Sequence, residues 1–327
     1  MTLNRTQLTL LWAAVAVVVA GYARPVQSVA GVPVERFFYM KMLWHHEFDV
    51  VVAGDSRPLL GVSPAAMREA LPGRRIANFG FRLAGYSRQY VERAESLLDP
   101  ASPGRVLVLG VDPHALTTNA ARDIDTPSTW MSLHPWRPGH FNVDLDNEFL
   151  WLSAQHPAEI RLAVALSPIH SFFGRLTSLD LNQLFYTKER RPMLIAHEDG
   201  WFESRMGKWD QKNVLRYIPP MYKGNPVSPH VIQKLMEMVR GIRDRGVAVY
   251  GFEPPTSDEV GRLENLHSKF EEKAFATAFE AAGATWLPFR DADFETWDGH
   301  HLSQESALRF SRALAERIAA AERAAGR

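Results

Sequence analysis

Runs that are apolar at every position alternate along this chain with stretches whose apolar residues recur at helical spacing. The clearest run, Val50-Val51-Val52-Ala53, stops abruptly at Gly54-Asp55-Ser56. A strand covered on both faces of its sheet reads this way. Four further short runs share the style, and strands are predicted over 49–53, 75–78, 105–111, 247–252 and 285–287. Helical patterns are predicted over 64–71, 87–98, 229–245, 263–282 and 303–321. The last has Ser303 as its N-cap and Leu308, Leu314 and Ile318 along one stripe. Strand followed by helix, repeated, predicts an α/β fold: a three-layer α/β/α sandwich around a five-stranded parallel sheet.

Two stretches fall outside that pattern. Residues from about 113 to 225 separate the third strand from the next helix by far more than a loop. They carry Trp130, Trp136, Trp151, Trp201 and Trp209, with partly helical patterns over 160–166 and 172–185. An insertion covering or flanking the functional edge is expected; the same aromatics would equally serve a small second core. At the N-terminus, Arg5 precedes an uncharged apolar stretch from Leu8 to Ala23. As a helix it spans about 24 Å, against roughly 30 Å of bilayer hydrocarbon. Residues 1–30 are therefore expected to be a signal anchor forming a transmembrane helix, or a signal peptide cleaved near Ser28-Val29-Ala30, with a buried core helix as the remaining reading. Residues 31–46 then form a juxtamembrane segment, and 47–327 the catalytic domain.

Composition narrows the chemistry. Lys plus Arg and Asp plus Glu both number 37, which argues against a broad nucleic-acid footprint. There is no cysteine, hence no disulfide framework, thiolate nucleophile or thiolate metal site. His45-His46 on an extended segment would point to opposite faces, so no metal and no cofactor are expected.

Nucleophilic chemistry remains. Ligands of open α/β sheets bind beyond the carboxyl ends of the strands. Ser56 follows the first strand, and Asp298-Gly299-His300-His301 follows the last. A serine hydroxyl becomes nucleophilic when an imidazole takes its proton. His301 is the candidate base and Asp298 the carboxylate that orients it, across a turn that Gly299 makes possible. Asp55 is expected to fix the nucleophile turn by hydrogen bonding to backbone. Arg57 would hold a substrate anion or pair with a local acid. His300 is expected at the surface or against substrate, and His114 near the pocket with a structural partner.

Gly54-Asp55-Ser56 and Asp298-Gly299-His300-His301, each at a strand end, resemble the first and last blocks of the SGNH (GDSL-type) hydrolase superfamily. Asn78-Phe79-Gly80 with Gly85 looks like a stretched second block. The resemblance covers residues 47–112 and 228–321 but not the insertion. It implies a flavodoxin-like SGNH fold and an oxyanion hole drawn from the amides of Ser56, Gly80 or Gly85, with Asn78 nearby. The third block departs: Gly110-Val111-Asp112 puts an acid where many members carry an oxyanion-binding Asn. An ionised Asp112 would repel an oxyanion, and loss of one donor costs about 2.7–4 kcal/mol of transition-state stabilisation. Members that modify surface polysaccharides, in alginate acetylation and teichoic-acid alanylation, are similar in lacking a simple third block and are often membrane-anchored.

The resemblance thus implies serine-dependent O-acyl transfer, with acetyl the simplest group, on an exported cell-surface polysaccharide. The expected partners are that polysaccharide, a multi-pass membrane O-acyltransferase and the membrane, with the domain on the periplasmic side. The alternatives are a carbohydrate esterase and a non-catalytic glycan-binding scaffold.

Overall fold

A computed structural model describes residues 4–22, 32, 34–122, 148–177 and 194–326. Its centre is a five-stranded parallel sheet in the order β2-β1-β3-β6-β7. The strands are β1 (Val50–Gly54), β2 (Ile76–Asn78), β3 (Val106–Gly110), β6 (Ala248–Phe252) and β7 (Thr285–Trp286). Each lies within the run read from sequence or one residue beyond it. β1 pairs with β3 in register from Val50↔Val106 to Gly54↔Gly110, so the strands end level and their following loops share one edge.

Alternate side chains enter two separate cores, one on each face. Val51, Ala53, Leu107 and Leu109 pack into one, with Tyr90 of α5 (Arg88–Glu95), Leu235 of α9 (Pro229–Asp244) and Phe279 of α11 (Glu272–Ala281). Val50, Val52, Val106 and Val108 pack into the other, with Met67 of α4 (Pro64–Met67) and Leu314 and Ile318 of α12 (Gln304–Ala324). Helices on both faces explain why the strands are apolar at every position. Ser303 caps α12 as expected, its hydroxyl accepting the Ser306 N–H at 3.3 Å.

Three expectations change. The pattern over 263–282 is two helices, α10 (Asp258–Ser268) and α11, because the chain turns through a left-handed Lys269, φ 62°. The Ser268 hydroxyl then receives the Phe270 N–H, and Phe270 is buried in the core. The expected juxtamembrane segment is instead structural: α2 (Val34–Leu43) buries Phe37, Phe38 and Met42. Its Lys41 is fully buried, donating to the Gly80 carbonyl at 2.8 Å above the Phe37 ring. Finally, among the described residues no helix is long and apolar enough to cross a membrane. The N-terminal stretch forms α1 (Arg5–Tyr22), 18 residues long, about 27 Å. Its first turn is polar, it packs against α7 (Pro157–Thr177), and Leu10, Trp12 and Val19 remain exposed.

The insertion contributes α6 (Glu148–Ser153), α7, the hairpin β4–β5 (Leu194–Ala196 and Phe202–Ser204) and α8 (Lys212–Tyr222). Trp201 buries its ring in the second core and donates to the Leu60 carbonyl at 2.9 Å. Trp209 is exposed, whereas Trp130, Trp136 and the pattern over 178–185 lie outside the described residues.

Candidate active site

The nucleophile turn is built by close approach at the sheet's carboxyl edge. Gly54 has φ 150°, and a Cβ there would lie 2.5 Å from Pro58 and 2.7 Å from the Gly110 carbonyl. No larger residue fits. The buried Tyr90 hydroxyl accepts the Gly54 N–H at 2.8 Å and lies 2.8 Å from the Gly54 and Phe79 carbonyl oxygens, one of which takes its proton. Asp55 caps α3 (Ser56–Gly61), accepting the Arg57 N–H at 2.9 Å. Ser56 opens that helix, partly exposed.

The second half is a tight antiparallel turn. Thr296 bridges Leu302, and Trp297 N–H donates to the His301 carbonyl at 3.0 Å. Gly299 takes φ 91° at its apex, the conformation expected of it. Inside, one Asp298 oxygen accepts the N–H groups of His300 and His301 at 2.8 and 2.7 Å. The other oxygen faces His301 Nδ1 at 2.8 Å, and His301 Nε2 stands 3.0 Å from Ser56 Oγ. Nucleophile, base and orienting carboxylate, 245 residues apart between Ser56 and His301, are thus brought together. Burial would raise the Asp298 carboxyl, but its hydrogen bonds and the His301 charge outweigh that and hold it at about 2. It is therefore ionised whenever it has to balance an imidazolium.

Several other expected roles change. Asn78 is turned inward, its amide nitrogen donating to the Pro58 and Val62 carbonyls at 2.7 Å each. Its oxygen accepts the Gly80 N–H at 2.9 Å, so neither the Asn78 side chain nor the Gly80 amide is available to an oxyanion. Gly80 is needed instead for packing: a Cβ there would sit 2.8 Å from Leu59 backbone. At Gly85 a Cβ would lie 2.1 Å from the Ala120 carbonyl, which fixes that residue as the contact between two loops.

Arg57 points away from solvent, 3% exposed, and ion-pairs with Glu264 of α10. Its guanidinium also contacts the His300 imidazole, so His300 is largely buried and not a surface group. Burial and the Arg57 charge push the His300 imidazole below its usual range, against the pull of Glu264. Burial would raise Glu264, but Arg57 and His300 hold it at about 2. No motif marks Glu264: it belongs to an ordinary helical pattern, 207 residues from its partner.

Asp112 is 1% exposed and accepts the Ala115 N–H at 2.7 Å. Burial and the Asp112 charge push the Asp55 carboxyl well above its usual range. Burial would raise Asp112 as well, but its contact with Asp55 and the Arg57 charge hold it below the usual carboxylate range. Asp112 thus lies buried beneath the nucleophile turn, within the field of the Arg57 guanidinium. Asp55, Asp112 and His114 each place one possible metal-ligand atom within 4.8 Å of the others. At the distal His pair the rings do not point apart: His46 has φ 53° and the two centroids are 3.7 Å apart.

Comparison with protein-family models and with curated proteins found no match to this chain.

Proposed function

We propose that this protein is a serine acyl-transfer enzyme of the SGNH type, acting on an O-acylated cell-surface polysaccharide. The observation that carries the reading is the continuous line from Ser56 Oγ through the His301 ring to Asp298, at 3.0 and 2.8 Å. In the proposed reaction Ser56 Oγ attacks the ester carbonyl while His301 Nε2 takes its proton, and Asp298 stabilises the imidazolium. His301 then returns that proton to the leaving alcohol, and an acyl-enzyme remains on Ser56. A sugar hydroxyl or water attacks the acyl carbon, His301 takes its proton, and Ser56 Oγ leaves with a proton from His301. Sugar gives transfer of an acetyl or similar group; water gives a carbohydrate esterase, favoured to the extent that Ser56 is open to solvent. With Asn78 and Gly80 committed elsewhere, the amides of Ser56 and Gly85 are the proposed oxyanion donors.

The resemblance at the two motifs supports an extracytoplasmic location and acyl supply by a multi-pass membrane O-acyltransferase. Exposed Leu10, Trp12 and Val19 on α1 support attachment at a membrane surface. The test is turnover of p-nitrophenyl acetate by the protein and its Ser56→Ala variant, with and without acceptor oligosaccharides. Activity lost in the variant and acyl groups appearing on sugar are expected. Equal rates for the two proteins would remove the enzyme reading and leave a glycan-binding scaffold.

A further inference from the structure

A groove of about 510 Å³ opens on the far side of the catalytic turn, lined in part by Gly299 and Trp297 of that turn. Trp209 and Trp297 make an aromatic corner, their rings at 90° with centroids 5.4 Å apart. The corner is pinned by the Trp209 N–H, which donates to the Trp297 carbonyl at 2.6 Å. Trp209 is 56% exposed, so the insertion presents an open indole face to the groove. Trp297 also stacks on the His301 ring, 5.7 Å away and 15° from parallel. One wall of the groove is therefore the ring that flanks the base.

The rim has a definite sign. Asp210, Asp258, Asp291 and Glu295 line it, against Lys208 as the one lining cation. Asp210 is partly answered by Lys212 at 3.3 Å. Asp291 is partly buried, which raises its carboxyl against the Thr256 N–H bond and the Arg57 charge that lower it; Asp258 and Glu272 add smaller upward pushes. An aromatic corner inside a carboxylate rim suits one kind of occupant. Indole faces attract ammonium groups and stack on the apolar face of a ring, and the carboxylates add charge attraction.

We infer that this groove is the subsite for a glycan unit bearing a free ammonium group, an amino sugar. The inference rests on the acyl-transfer reading of Ser56 and names the substrate class of that site. A uronate would set its carboxylate against four others, and a neutral sugar would leave them unanswered.

The test is calorimetric titration of the full chain with a β-1,4-linked glucosamine tetramer, its N-acetylated counterpart and a galacturonate tetramer, at low and high salt. The glucosamine tetramer binds tightest and weakens as salt screens the rim. Its affinity falls about tenfold or more in Trp209→Ala and in the Asp258→Asn/Glu295→Gln pair. All three positions are exposed, and the paired variant checks any misfolding of Trp209→Ala. Equal or tighter binding of either other tetramer, no binding at all, or affinity unchanged in both variants overturns the inference. Fluorophosphonate labelling of the wild-type chain is measured alongside. Labelling without glucosamine binding removes the subsite and keeps the nucleophile; binding without labelling does the reverse.

Discussion

Behind the Asp298–His301 turn, Arg57 is buried against Glu264 and His300; in front of it, Trp209 stands open to solvent among four carboxylates. Both sides are charged, but only the rear is dry. Buried charges must be matched locally or they destabilise the fold, and behind the turn Arg57 is paired with Glu264. At the front, Asp210, Asp258 and Glu295 are exposed, and exposed carboxylates are hydrated and tolerate an unbalanced sum. Matched, buried charge holds geometry; unmatched, open charge is left free to meet a ligand. The Asp298–His301 turn is the seam between them.

The largest effect is expected at that seam. Ser56→Ala should lower p-nitrophenyl acetate turnover on the order of a million-fold, with the urea midpoint unchanged. Asp298→Asn should cost roughly ten thousand-fold in kcat by losing control of the His301 tautomer. It also tests the acid limb of stability. The folded Asp298 is depressed to about 2 from an ordinary 3.8, so its contribution is complete above the ordinary value and lost as pH falls through about 2. The variant's stability should therefore vary less than wild type's between pH 5 and pH 2, read by urea melts at each pH.

Next comes the rear. Glu264→Gln leaves the Arg57 cation without its counter-charge and should lower unfolding free energy by about 3 kcal/mol. Arg57→Met combined with Glu264→Leu should recover much of that, because the desolvation penalty goes with the pair. Equal loss in single and double variants would show that packing, not charge matching, organises the rear.

The smallest effect concerns Glu253, just beyond β6. Burial, with Glu272 adding to it, raises its carboxyl from 4.5 to about 8. The sign is opposite to that of Asp298: stability is full below the ordinary value and declines as pH rises from there through about 8. Glu253→Gln should flatten that decline, seen as a smaller drop in urea midpoint between pH 6 and pH 9. An unchanged slope would mean Glu253 titrates normally.

Legibility in the sequence followed the range over which each cause acts. Strands were readable because two-face burial forces every position of Val50–Ala53 to be apolar. The meeting of Ser56 with His301 was readable because parallel strands bring their carboxyl ends to one edge, whatever the separation along the chain. Hydrogen-bond assignments were not. Asn78 and Gly80 stood at the expected place, yet the Pro58 and Val62 carbonyls claimed the amide. Nothing local marks Glu264 as the partner of Arg57, or Lys41 as a fully buried amine under Gly80. The split at Lys269 was hidden because a non-glycine residue took the left-handed turn, held by the burial of Phe270.

The central claim is that His301 and Asp298 make Ser56 a nucleophile. Intact-mass measurement after reaction with a fluorophosphonate tests it most directly, on the wild-type chain beside Ser56→Ala and His301→Ala. The account predicts one adduct on the wild type, mapped to Ser56, none on Ser56→Ala and a strongly slowed reaction for His301→Ala. A folded wild-type chain that takes up no probe, or one labelled equally without His301, would contradict it.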